Sequence, residues 1–442
     1  MPTVHLVALA VPAHGVGSRQ DLPLPFTALV IGAVVALVAS FLALALLWRE
    51  PRLPDDAGWA LPGGVQVVLG SRWLRRAAML AVLLVTALVL LALVAGQDDA
   101  RNPVPYVVYV WLWVGMPVLS MLLGPVWVTL NPFRLLHRAV RRVARISPDF
   151  TLAESRLDYW PAASLLLAFT WLELIADNRT TLPVLRVALG LFTVVSVIAP
   201  LAVGSRWFAE GDPFEVLSRL YGRLSPIGRR PDGRLVLRSP VHGPGLQPPA
   251  RGLLAAVAVM LGGTAYDSLS ANLRYTSWVQ SSGAPTFLRT VTLIAVCALV
   301  GLALQAAAAL AAAVARVPVR GIAAQLAPSV IPIAAGYLVA HYWSLLVFQG
   351  QNTLRLLSDP MGVGANVVGT GGLVPNQALI APTLVAVVQA GSIVLGHVLG
   401  VVVAHERAIR LFPRRQAIPG QVPLMVLMVG YTVGGLSLLF AG

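Results

Sequence analysis

The chain has 442 residues, 57% of them hydrophobic and only 11% charged, with a mean hydropathy of +0.79. That composition lies outside the range of soluble globular domains and specifies a multi-pass membrane protein. Its formal net charge of +14 comes from 32 basic residues, all arginine, and in a soluble protein such an excess would point to nucleic acid, so the placement of the arginines decides its meaning.

Residues 1–25 contain a short apolar run at 4–12 with no basic segment before it. The run is too short to span and a poor match to a cleavable signal, so this part reads as an extracytoplasmic lead-in. A single transmembrane domain then occupies 26–442. Eight stretches offer the ~20 apolar residues needed to cross ~30 Å of hydrocarbon: 26–48, 77–95, 105–130, 182–203, 288–315, 327–350, 378–404 and 422–440. Two shorter stretches, 160–176 and 252–269, bring the expected number to ten.

The arginines test that number, because short cytoplasmic loops carry the basic excess. Loops taken alternately (49–76, 131–159, 204–251, 316–326 and 405–421) hold 25 of the 32 arginines, and the opposite set, counted with Arg289 at the outer end of its span, holds six. Arg186 lies within a span, near its outer end, where a long side chain can snorkel. Deleting either short span would destroy the alternation. The expectation is an all-α, polytopic transmembrane helical bundle of about ten spans in the plasma membrane, with both termini extracytoplasmic. Its partners are the lipid bilayer and a small hydrophobic or ionic substrate, and nucleic acid is not expected. Cys297 is the only cysteine and lies within a span, so no disulfide framework or cysteine metal motif exists.

Two cytoplasmic segments are alike, NPFRLLHR from Asn131 and DPFEVLSR from Asp212, each just after a tryptophan, Trp127 or Trp207. Asn or Asp followed by Pro is a helix-start signal, and the spacing of Phe, Leu and Arg gives an amphipathic helix suited to the inner leaflet. A two-helix repeat with a period of 81 residues and a coincidence between two interfacial helices are both consistent with the pattern. The basic loop at 204–251 contains Asp232-Gly233 between RR and RLVLR, which predicts a small hairpin. The outer loop at 351–377 is rich in glycine and reads as a lid over an outward-facing cavity.

Polar groups near membrane depth are few: Glu173, Asp267, Gln305, Tyr337, His341, Ser344, Gln349, Gln389 and His397. Ionisable groups at such depth are costly and face a bundle interior or cavity, which makes them the default site. The expected catalytic set is His341, His397, Asp267 and Glu173, centred between the helices that carry the two histidines, with His341 and His397 as metal ligands. His405 lies eight residues beyond His397, ~12 Å along a helix, so those two cannot share one metal. It reads as a cation capping a helix end.

Four chemistries are open to this set. A divalent metal could hold a water for hydrolysis; titratable groups could relay protons for a transporter of a small solute. Haem or copper could sit between the histidines, or the groups could simply hydrogen-bond between helices.

Several stretches together resemble one family: AHGVGSRQDLPLP with the following helix and WREPRL, GDPFEVLSRLYGRLSPIGRR, GGTAYDSLS, AHYWSLLVFQGQ with LLSDPMG, and GHVLGVVVAHERA. Over most of its length the chain resembles actinobacterial multi-pass membrane proteins labelled fenitrothion hydrolase. The resemblance implies hydrolysis of an aryl phosphotriester at the outer face, by residues among His341, His397, Asp267 and Glu173. The chain departs from the family at Asn366 and Gln349, where relatives often carry an acid, and at Glu406, where they carry an aspartate.

Overall fold

The computed structural model describes residues 25–54, 58–147 and 158–440, so the lead-in at 1–24 lies outside the described residues. The helices in chain order are α1 (Phe26–Leu47), α2 (Gly63–Gly70), α3 (Arg72–Ala95), α4 (Val104–Leu123), α5 (Pro132–Val143), α6 (Trp160–Leu174) and α7 (Leu182–Val203). They continue with α8 (Pro213–Gly222), α9 (Leu253–Ser270), α10 (Leu273–Gln280), α11 (Pro285–Ala315), α12 (Ile331–Leu356), α13 (Pro382–Leu411) and α14 (Val422–Leu439). Among the described residues, nine helical stretches are long and apolar enough to cross a membrane, and the apolar α6 is shorter. Proline occupies the first turn of α5, α7, α8, α11, α12 and α13, where its missing N–H costs nothing.

The layout follows from which helices lipid can solvate. The stretch carrying α12 is 83% buried within the protein and α9 is 72% buried, against 17% for α1. These two are also the least apolar of the nine, and a helix ringed by others can keep polar groups that lipid would reject. The helix α13 packs tightly on α12 through small residues. A Cβ added at Gly336 would lie 2.4 Å from the Ser392 carbonyl oxygen, and one at Gly396 would lie 2.6 Å from that of Pro332. Close backbone approach of this kind replaces the hydrophobic drive that is absent between helices in lipid.

Two expected spans have different bounds. The stretch predicted at 105–130 ends at Leu123, because Gly124 turns the chain at φ 91° before a separate turn at Trp127–Leu130. The stretch predicted at 378–404 runs on to Leu411, since the charged groups of the HERAIR segment find partners inside the protein.

The two similar segments are built alike. Helices α4 and α7 both end on a left-handed glycine, Gly124 (φ 91°, ψ −175°) and Gly204 (φ 78°, ψ −172°). One short turn carrying Trp127 or Trp207 follows, and then α5 or α8 begins under the side chain of Asn131 or Asp212. The caps also meet: Asn131 Nδ2 donates to Asp212 Oδ2 at 3.1 Å, and Arg134 reaches Glu215 at 2.6 Å, each pair 81 residues apart. Contacts between equivalent positions favour the repeat over coincidence. The predicted hairpin is present as β2 (Ile227–Arg229) and β3 (Leu235–Leu237), joined by β1 (Trp59–Ala60) in the order β1-β3-β2.

Candidate functional site

The polar cluster forms where α6, α9 and α12 meet, close to the C-terminal ends of α6 and α9. Those two helices run side by side in the same direction. A Cβ at Gly252 would strike the Trp160 nitrogen at 2.7 Å, and one at Gly263 would touch Thr170 at 3.1 Å. One further turn on, Glu173 and Asp267 therefore come to the same level, where they stand within electrostatic range of each other. Both are buried, at 7% and 4% exposure, although each lies near a helix end.

From α12, His341 presents its ring to Asp267: Nε2 stands 2.8 Å from Oδ2, oblique to the ring N–H direction. The next residue, Tyr342, donates its hydroxyl to the same carboxylate oxygen at 2.7 Å. The other imidazole nitrogen, Nδ1, lies 3.5 Å from Ser268 Oγ. Asp267, His341 and Ser268 thus form a carboxylate–imidazole–hydroxyl array, with the acid and imidazole buried and the hydroxyl half-buried. When Nε2 carries the ring proton, Nδ1 has its lone pair on the side of the hydroxyl and can accept a proton there. The array has the components of an activated-nucleophile site in the relative order such sites use.

The fourth wall comes from α4, which is π-helical from Val107 to Gly115. Such bulges re-aim side chains and are frequent at functional sites. Here the segment sets the Trp113 indole beside the Tyr342 hydroxyl and packs it at a tilt of 44° against Phe169, with ring centroids 4.8 Å apart. Glu173 Oε2 is buried with no hydrogen-bond partner among the described residues.

His397 lies elsewhere. Its Nδ1 donates to the Ile393 carbonyl of its own helix at 2.8 Å, and its ring packs against Tyr337 and Tyr431. It has no hydrogen bond or ring contact with His341; the Tyr337 it touches lies one turn away on α12. Its Nε2 is buried without a hydrogen-bond partner among the described residues. Among the described residues no group of three or more His, Cys, Asp and Glu side chains is placed to hold a metal ion.

The remaining candidates are structural. His405, expected as a solvated cap, is 1% exposed because its ring bridges Gln421 Oε1 at 2.9 Å and the Trp48 carbonyl at 2.7 Å. Beside it, Glu406 accepts from Trp48 Nε1 and the Arg52 and Leu53 amides, and pairs with Arg410 at 2.8 Å. Asn366 accepts from Ser358 Oγ and the Gly371 amide, so it organises the outer loop. Sequence reasoning missed Ser268 and Tyr342; adjacency to Asp267 and His341 was the available signal. Comparison of the chain with family models, characterised proteins and solved structures gives no match.

Proposed function

We propose that the protein is a ten-span plasma-membrane hydrolase with both termini extracytoplasmic, acting on an activated ester of the aryl phosphotriester class at the outer half of the bundle. The tenth span is α6, supported by its parallel course beside α9 and by the arginine alternation. The observation that carries the activity is the Asp267–His341–Ser268 array. A water held by Ser268 gives its proton to His341 Nδ1 and attacks phosphorus; the phenolate leaves, and Asp267 stabilises the imidazolium. The resemblance to proteins labelled fenitrothion hydrolase points to the same substrate class.

The test is release of nitrophenolate from a nitrophenyl phosphotriester by purified protein in detergent. Wild type turns over, and His341→Asn slows the reaction by ~10²–10⁴-fold, the range for a lost general base. Equal rates for the two proteins, or no turnover by wild type, would overturn the assignment.

One observation favours a second reading, proton-coupled transport of a small solute: the unpartnered Glu173 oxygen beside Asp267, since acid and histidine chains in pumps relay protons. Its test is solute uptake into proteoliposomes driven by a pH gradient and lost in Glu173→Gln. Uptake indifferent to the gradient removes this reading.

A further inference from the structure

A second polar cluster occupies the other end of the bundle, near the starts of α6 and α9. Asp267 is fifteen residues along α9 from Gly252, ~22 Å at ~1.5 Å per residue, so this cluster is separate from the array described above. Its members are Arg223, which follows α8, Arg238, which follows β3, and Arg407 on α13. Arg238 and Arg407 reach the short turn His242–Gly245 with their side chains, and Arg223 lies against it with its backbone carbonyl.

The turn is shaped for them. At Gly243 an added Cβ would lie 2.9 Å from Arg238 Nη2 and would collide with the Arg223 carbonyl. At Gly228 on β2 it would lie 2.5 Å from Arg238 Nε. The guanidinium of Arg238 is thus threaded between two backbone positions that lack side chains, and the β2–β3 hairpin aims it there. From the other side, Arg407 donates to the carbonyls of Pro244, Gln247 and Gln325. Arg223 stands within electrostatic range of both Arg238 and Arg407, and the Tyr159 hydroxyl adjoins it.

What the cluster lacks is a countercharge. Among the described residues no carboxylate pairs with Arg223, Arg238 or Arg407; Glu215 and Glu406 are committed to Arg134, Arg219 and Arg410, and Glu210, within electrostatic range of Tyr159, forms no ion pair with the three arginines. Among the described residues Arg223 and Arg238 have no side-chain hydrogen-bond partner, and Nε of Arg238 and Nε of Arg407 are both buried without an acceptor. Burial, then the charge of Arg223, holds the Arg238 guanidinium below its ordinary range. Like charges gathered with unused donors are costly unless an anion completes them. Guanidinium forks match phosphate oxygens in geometry and charge.

We infer that Arg223, Arg238 and Arg407 form a binding site for a phosphate group at the arginine-rich end of the bundle, reached between the half-buried Arg223 and Arg238. A soluble phosphate and the headgroup of an anionic lipid share this chemistry. The inference is independent of the hydrolase reading.

The test uses full-length protein in neutral detergent and reads its unfolding temperature in two arms. One compares inorganic phosphate with chloride at matched ionic strength; the other compares mixed micelles containing phosphatidic acid with micelles containing phosphatidylcholine. Wild type gains at least ~2 °C in one arm. A gain with inorganic phosphate assigns a soluble ligand, and a gain with phosphatidic acid alone assigns a lipid headgroup. Arg238→Gln and Arg223→Gln, each of which removes one of the mutually repelling charges, melt no lower than wild type without anion and lose the gain. No gain in either arm, or an undiminished gain in both variants, overturns the inference.

Discussion

The Asn131 amide donates a hydrogen bond to the Asp212 carboxylate at 3.1 Å, joining two residues 81 positions apart that start equivalent helices in two like segments. Both caps are fully buried, so the bond also supplies each with a polar partner that lipid and core cannot. One row of interactions thereby couples the ends of the two segments: Asn131 with Asp212, and Arg134 with Glu215.

Burial pushes the Asp212 carboxyl up to about 6, against the pull of its hydrogen bonds from Glu215 N and Asn131. A raised folded-state value means that its contribution to stability is complete below the ordinary carboxylate range and is lost as pH rises through about 6. Asp212→Asn keeps the cap acceptor and removes this titration. The variant therefore gains on wild type by about 2–3 kcal/mol between about pH 4 and pH 7. Paired thermal melts across that range check it; a constant gap would contradict it.

Glu406 ties the Arg52–Leu53 segment to α13 through two backbone amides, at 3.0 and 3.2 Å. Removing a buried charge partner and leaving these donors bare costs about 3–5 kcal/mol. Glu406→Ala accordingly lowers the unfolding temperature and exposes the bond after Arg52 to trypsin, with Glu406→Gln intermediate. Unchanged trypsin protection in Glu406→Ala would show that the segment is held by something else.

Tyr342 and His341 share one Asp267 oxygen, whereas Ser268 approaches the opposite imidazole nitrogen. Tyr342→Phe leaves that oxygen to His341 and costs activity by about tenfold or less through lost positioning. Ser268→Ala, which removes the group that holds the water, costs more, by ~10²-fold. Steady-state turnover of the two variants orders these roles; a larger loss in Tyr342→Phe would reverse them.

The span pattern was legible because apolar length and arginine alternation are properties of the chain itself. The same applies to the polar residues at membrane depth, which stand out against apolar neighbours. Which of them meet was not legible. The expectation that His341 and His397 share a site rests on their depth in the membrane, but the face each ring occupies decides contact, and His397 turns back to its own Ile393 carbonyl. Asp267 was readable as polar, yet its contact with His341 depends on α9 packing against α12 across 74 residues of chain. His405 looked like a solvated cap because its partners, Gln421 and Trp48, lie 16 and 357 residues away. Ser268 gave no signal of its own, since a serine near a helix end is ordinary.

The central claim is that Asp267 and His341 act as one unit in hydrolysis. The most direct measurement is nitrophenyl phosphotriester turnover in a cycle of wild type, Asp267→Asn, His341→Asn and the double variant, with folding checked by melting temperature. Residues acting as a unit are strongly non-additive. The double variant should therefore be no slower than the slower single variant, each single losing ~10²–10⁴-fold. Losses that multiply, or a single variant with wild-type turnover, would contradict the account.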